Sequence, residues 1–213
     1  MDHQPVETTL YSLSNNAPTE SGDRREGDRH MTLFRVGSIQ VGDRRELCLI
    51  KNISAGGMMI RLYCTLDVGT SLTVELKSGQ PVNGTISWVR DQNAGVAFDQ
   101  PIDVIDILST SMDGPRPRMP RIETGCHATL RDGSTVLRVE ARDISQGGVK
   151  LRCDTLIPDG TDVVVSLPGL PAQAGVARWS DQGFMGVTFN RLLSLGELVA
   201  WLHAQRAAQC SAG

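Results

Sequence analysis

The chain has 213 residues, a formal net charge of −3 and a pI near 5.8, long enough for one large or two small domains. Only 4% of its residues are aromatic, so it offers neither the basic surface nor the stacking platform of a nucleic-acid binder. No stretch approaches the ~18 apolar residues of a membrane span and no secretory leader is legible, so a cytoplasmic protein without membrane insertion is expected.

In chain order, residues 1–21 read as a flexible tail. "GDRREGDR" follows, setting Arg24, Arg25 and Arg29 among acidic residues with nothing apolar to bury. The runs after "NISAGG" at Asn52, namely "SLTVEL", "VNGTISWVR" and "NAGVAF", read as strands. In "PIDVIDILSTSM", Ile102, Ile105 and Leu108 could form one helical face. Three prolines make "DGPRPRMPR" a stiff, extended linker at 113–121. Beyond it, Leu137, Val139 and Ala141 alternate with Arg138, Glu140 and Arg142, the period of a half-buried strand. Strand-like "DVVVSL", "AGVARW" and "FMGVTF" follow. Ser194 with Glu197 forms a capping box, and Leu195, Leu198, Val199 and Leu202 mark the apolar face of a closing helix.

The two halves repeat each other. "NISAGG" from Asn52 returns as "DISQGG" from Asp143, 91 positions on, and the same offset carries Ser54, Gly57, Gly84, Trp88, Gly95 and Phe98 onto Ser145, Gly148, Gly175, Trp179, Gly186 and Phe189. Only the turn after the tryptophan slips in sequence, "DQ" at Asp91 returning one place early at Asp181. The fold expected is mainly β: two tandem small antiparallel barrels of about six strands each, spanning 22–112 and 122–213, with a C-terminal helix. The five cysteines form no CxxC pair and no zinc set with the four scattered histidines, so they are expected reduced and mostly buried. Without a nucleophile elbow, Walker loop or carboxylate pair, no catalytic or metal residues are assigned, and no enzyme is expected.

These residues resemble the PilZ domain family, whose signature is RxxxR followed by (D/N)xSxxG: here Arg25 and Arg29, then Asn52, Ser54 and Gly57. The resemblance implies small β-barrels that bind the second messenger cyclic di-GMP and pass its signal to a neighbouring domain or partner protein, with no cofactor. RxxxR alone is uninformative, since Arg138 and Arg142 match it inside an expected strand. (D/N)xSxxG, repeated at fixed period with a tryptophan 34 residues after each serine, is far more specific.

The chemistry suits the ligand. A guanidinium can grip a phosphate or a guanine edge bidentately and lie over a purine ring. Of the 21 basic residues 18 are arginine. At roughly 1.5–3 kcal/mol per charge-assisted contact, two or three arginines supply most of the ~8 kcal/mol of a micromolar complex. Cys48, Ile50, Asn52 and Ser54, at alternate positions, are expected on one inward strand face running from core to polar rim. Gly57 is expected to allow a positive φ or a close ligand approach, although plain turn chemistry also favours Asn, Ser and Gly. Arg24 is an additional candidate contact. Trp88 and Trp179 are read as barrel core or edge.

Shifting Arg25 and Arg29 by 91 lands on Arg116 and Pro120, so the second copy lacks RxxxR while keeping Asp143, Ser145 and Gly148. It is expected to bind weakly or not at all. Leu47, Leu49 and Met59 replace Arg138, Glu140 and Lys150 on the outer face, so that face must be covered, by the second barrel first and by homodimerisation next. The alternative function is a degenerate scaffold acting through protein contacts without nucleotide.

Overall fold

The computed structural model describes residues 31–75, 81–105 and 119–211. The first unit comprises β1 (Met31–Val41), β2 (Arg44–Ser54), β3 (Gly57–Leu62), β4 (Ser71–Glu75), β5 (Pro81–Arg90) and β6 (Asn93–Phe98), closed antiparallel in the order β1-β2-β3-β6-β5-β4. The second repeats that order with β7 (Ile122–Asp132), β8 (Thr135–Ser145), β9 (Gly148–Arg152), β10 (Asp162–Ser166), β11 (Gln173–Asp181) and β12 (Phe184–Phe189). Helix α1 (Leu195–Ser211) closes the chain. Full closure removes every free sheet edge.

Each barrel is filled by its inward residues, among them Ile39, Cys48, Ile50, Ile60 and Ile86 in the first and Leu130, Ala141, Leu151, Val165 and Met185 in the second. The duplication reaches the irregularities. Register breaks fall between Thr32 and Arg35, between Ile50 and Asn52, and between Ile86 and Trp88, and they recur at Glu123/Cys126, Ala141/Asp143 and Ala177/Trp179. The turn after β5 keeps this register as well: Asp91 and Gln92 at φ 48° and 64° correspond to Gln182 and Gly183 at 48° and 77°. Both are two-residue turns with positive φ, the hairpin type that matches strand twist. The slip read from "DQ" is therefore a coincidence of residue type, not a shift of the backbone.

The expected helix start is present. Glu197 N–H donates to Ser194 Oγ at 3.2 Å and Ser194 N–H to Glu197 Oε2 at 3.1 Å, and Leu198, Val199, Trp201 and Leu202 are buried against the second barrel. At the end of the first copy Ile102 and Val104 pack on the core, whereas Ile105 is 73% exposed and Leu108 lies outside the described residues. Cys48, Cys126 and Cys153 are buried free thiols and Cys64 is half-buried. Burial pushes the Cys48 thiol up to about 12.

The barrels also share an interface. Leu47 of β2 is buried in the second barrel's apolar cluster, with Val36 and Tyr63 packed against it. From α1, the Arg206 guanidinium engages the carboxylate of Glu46 and the carbonyl of Arg45, also on β2. The outer face at Leu47 is thus covered by the second barrel.

Candidate functional site

A bulge decides where the signature residues point. Ile50 pairs with Ile60 but Asn52 pairs with Met59, so Lys51 is an extra residue in β2. Such an insertion reverses the alternation of faces. Past the bulge it is Ile53, 1% exposed, that enters the core. Asn52 and Ser54 face outward together, not inward as strict alternation from Cys48 and Ile50 implied.

There they join the outward residues of β3, β5 and β6. Asn52, Ser54, Gly57, Met59, Trp88 and Gly95 line an open cavity of about 300 Å³. Internal hydrogen bonds fix what this wall offers. Asn52 Oδ1 accepts from Met59 N–H at 3.1 Å, and Ser54 Oγ donates to the Gly57 carbonyl at 3.1 Å. Asn52 thereby presents its amide NH₂ as donor, and Ser54 presents hydroxyl lone pairs as acceptor.

Two glycines are dictated by close packing. A Cβ at Gly57 would sit 2.4 Å from the Val96 carbonyl oxygen, so β3 can approach β6 only without a side chain there. Its φ is not positive, and the turn-conformation reason expected from sequence does not apply. A Cβ at Gly95 would fall 2.0 Å from Trp88 Nε1, because the indole lies flat across that backbone. Trp88 is consequently a half-exposed outer-face residue at 42% exposure rather than core. It and Met59 line the candidate cavity, where sequence reasoning did not put them. The signal was available as a tryptophan seven positions before a glycine in both copies, Trp88 with Gly95 and Trp179 with Gly186.

The described chain begins beside this wall, since Met31 pairs with Ile53 and Thr32 with Asn52. Arg24, Arg25 and Arg29 lie outside the described residues. No cluster of His, Cys, Asp or Glu that could hold a metal occurs among the described residues, and no described helix is long and apolar enough to cross a membrane.

The sequence pattern of the PilZ domain matches residues 23–110 and again 115–202. The chain belongs to the PilZ domain family. Solved structures that match the chain include the Borreliella burgdorferi PlzA protein in complex with c-di-GMP, at 12% identity and TM-score 0.35 over 77% of this chain and 84% of that one. Escherichia coli YcgR in complex with c-di-GMP is 14% identical with TM-score 0.34 over 83% and 87%, and the Bacillus subtilis inhibitor of motility MotI/DgrA is 15% identical with TM-score 0.33 over 83% and 95%. No curated protein matches the chain.

The second PilZ copy keeps the backbone of the wall and covers its surface. Ser145 Oγ donates to the Gly148 carbonyl at 3.3 Å, as Ser54 does to Gly57. Asp143, in the place of Asn52, is ion-paired with Arg121. Met119 and Leu192 stand within 3.4 Å of where a Gly147 Cβ would be, whereas the corresponding Gly56 has none of the described residues within 4 Å. Lys150, in the place of Met59, lies 4.6 Å from the Phe184 ring centroid and 6.0 Å from that of Trp179. The second wall is thus occupied by the chain's own side chains.

Proposed function

We propose that the protein is a receptor for cyclic di-GMP rather than an enzyme, binding one site's worth of ligand through the first barrel. Asn52, Ser54 and Gly57 form the fixed wall, with Trp88 and Met59 as its apolar floor. Arg25 and Arg29 supply the cations, and Arg24 is an accessory contact. The observation that carries this reading is the contrast between the copies. Among the described residues the first wall, with its Asn52, Ser54 and Gly57, is open next to the strand that Arg29 precedes by two residues, whereas in the second Asp143 replaces Asn52 and is ion-paired with Arg121, and Lys150 replaces Met59.

Several physical points favour the assignment of roles. The Asn52 amide and Ser54 lone pairs suit the mixed donor and acceptor edge of guanine, and arginine suits phosphate. β2 carries the wall at its Asn52–Ser54 end and the interbarrel contact at its Arg45–Leu47 end. A ligand that prefers one setting of β2 would therefore bias how the barrels sit, up to its differential affinity for the two settings. This is the route proposed for relay to a partner protein.

Calorimetric titration of cyclic di-GMP into the full chain tests the proposal. Micromolar binding at one equivalent is expected, reduced more than a hundredfold by Arg25→Ala with Arg29→Ala and about tenfold by Asn52→Ala. Absence of binding to the intact chain would leave the scaffold reading, which the self-occupied second wall favours. Unchanged stoichiometry and affinity in Arg24→Ala would remove that residue from the site.

A further inference from the structure

The second barrel carries an open groove of about 670 Å³ at the end of β8 remote from Asp143 and Ser145. Its outward lining includes His127, Thr129, Arg138, Glu140, Arg152 and Asp154. These stand in cross-strand rows: His127 opposite Glu140, Glu140 opposite Arg152, and Thr129 opposite Arg138. Subtracting the 91-residue offset gives Val36, Leu49 and Arg61 in one row and Ser38 and Leu47 in the next. On the first barrel this face is the one the second barrel covers, through Leu47, Val36 and Tyr63. Among the described residues, the same face of the same scaffold is therefore used once as a docking surface and once left open.

Its chemistry has changed with its exposure. Arg138, Glu140 and His127 replace Leu47, Leu49 and Val36, so an apolar partner like the one seated on the first barrel no longer fits. Glu140 is held by Arg142 at 2.9 Å. Arg138 and Arg152 have neither hydrogen bond nor ion pair among the described residues, which leaves Asp154 as the unengaged carboxylate against two guanidiniums and an imidazole. As diagonal neighbours across β8 and β9 the two arginine stems stand roughly 7–8 Å apart. Carboxylates at i and i+4 on a helix, with Cβ atoms about 5–6 Å apart, fall within reach of both. A closed barrel has no edge to which a strand could be added, so a partner must lie across the face.

We propose that this groove docks an acidic helical segment of a partner protein, two carboxylates one turn apart pairing with Arg138 and Arg152. The proposal is independent of nucleotide binding. The probe is a fluorescein-labelled helical peptide bearing Glu at i and i+4 along one face with Ala and Gln elsewhere, followed by anisotropy with the full chain. Saturable binding is expected, weakened by salt and reduced at least tenfold by Arg138→Glu with Arg152→Glu. It should survive within threefold in Arg178→Glu, a charge change on β11 outside the groove, and the Gln version of the peptide should not bind. The neutral pair Arg138→Gln with Arg152→Gln, checked for folding by circular dichroism, should lose the same affinity. No saturable binding, or affinity indifferent to either double variant, would overturn the proposal. So would self-association in sedimentation that the double variant abolishes, which would put a second copy in the groove. Tenfold tighter peptide binding after removal of residues 1–21 would overturn it too, placing the chain's own acidic tail there.

Discussion

Replacing Arg206 with alanine tests whether α1 fastens the two barrels. Its guanidinium donates to the Glu46 carboxylate and to the Arg45 carbonyl. Charge-assisted hydrogen bonds contribute roughly 1.5–3 kcal/mol each, and orphaning a fully buried ionic partner costs about 3–5 kcal/mol. The Glu46 side chain is only 10% exposed but that of Arg206 is 36% exposed, so solvent competes for one side of the pair and the figure must be discounted. A loss of about 2–3 kcal/mol is expected for Arg206→Ala in urea unfolding of the full chain. Glu46→Gln should cost less, because Gln can still accept from Arg206. The double variant should cost at least about 1 kcal/mol less than the two single losses together, since it leaves no buried charge behind. Small-angle scattering should show a larger radius of gyration for Arg206→Ala. Additivity within about 0.3 kcal/mol, or scattering unchanged from the parent, would refute the reasoning and leave the apolar contact at Leu47 as the fastening.

Three further outcomes follow from local geometry. Gly95→Ala places a Cβ 2.0 Å from Trp88 Nε1, so the indole must swing into solvent; a red-shifted emission and weakened cyclic di-GMP binding are expected, whereas Gly186→Ala should disturb Trp179 and leave binding intact. The hydrogen bonds from Ser194 hold the Glu197 carboxyl below its ordinary 4.5, so its helix-capping contribution is present above that value and is lost as pH falls through the lowered one. An NMR titration should find the depression, and Ser194→Ala should reduce it, leaving the part due to the backbone N–H at 194. Because burial pushes Cys48 up to about 12, a thiol reagent at pH 8 should label it only on unfolding; rapid labelling of Cys48 in the native protein would contradict its placement in the core.

The barrels were legible because closure makes every strand alternate and because duplication printed the pattern twice. Val139 and Ala141 alternate with Arg138, Glu140 and Arg142 and are buried as expected, and Val149, Leu151 and Cys153 continue the pattern against Lys150 and Arg152. The helix was legible from its cap at Ser194. What alternation could not reveal was its own interruption. Lys51 is an ordinary residue that carries no Gly or Pro to mark a bulge, so Asn52 and Ser54 were assigned to the wrong face although their company was right. Trp88, read as barrel core or edge, is on the outer face for a related reason: Ser87 is the extra residue of β5, and the core alternative falls once the glycine beneath the indole is noticed. Met59 was grouped with Leu47 as one outer face, yet Leu47 meets the second barrel and Met59 the candidate site. A half-apolar outer surface can serve two purposes at once, and one-dimensional patterning does not divide them.

The three matched bulges bear on more than register. Since each irregularity of the first barrel has its counterpart 91 residues later, the copies differ in the decoration of a common chassis. Outward residues of the candidate wall, such as Asn52 and Met59, can then be exchanged between them without touching the residues that fill either barrel. Moving Asn and Met into positions 143 and 150 while clearing Met119 and Arg121 would carry the first wall onto the second barrel, and the reverse exchange would mask the first. The protein thus holds, within one polypeptide, both the proposed binding surface and the blank on which to rebuild it.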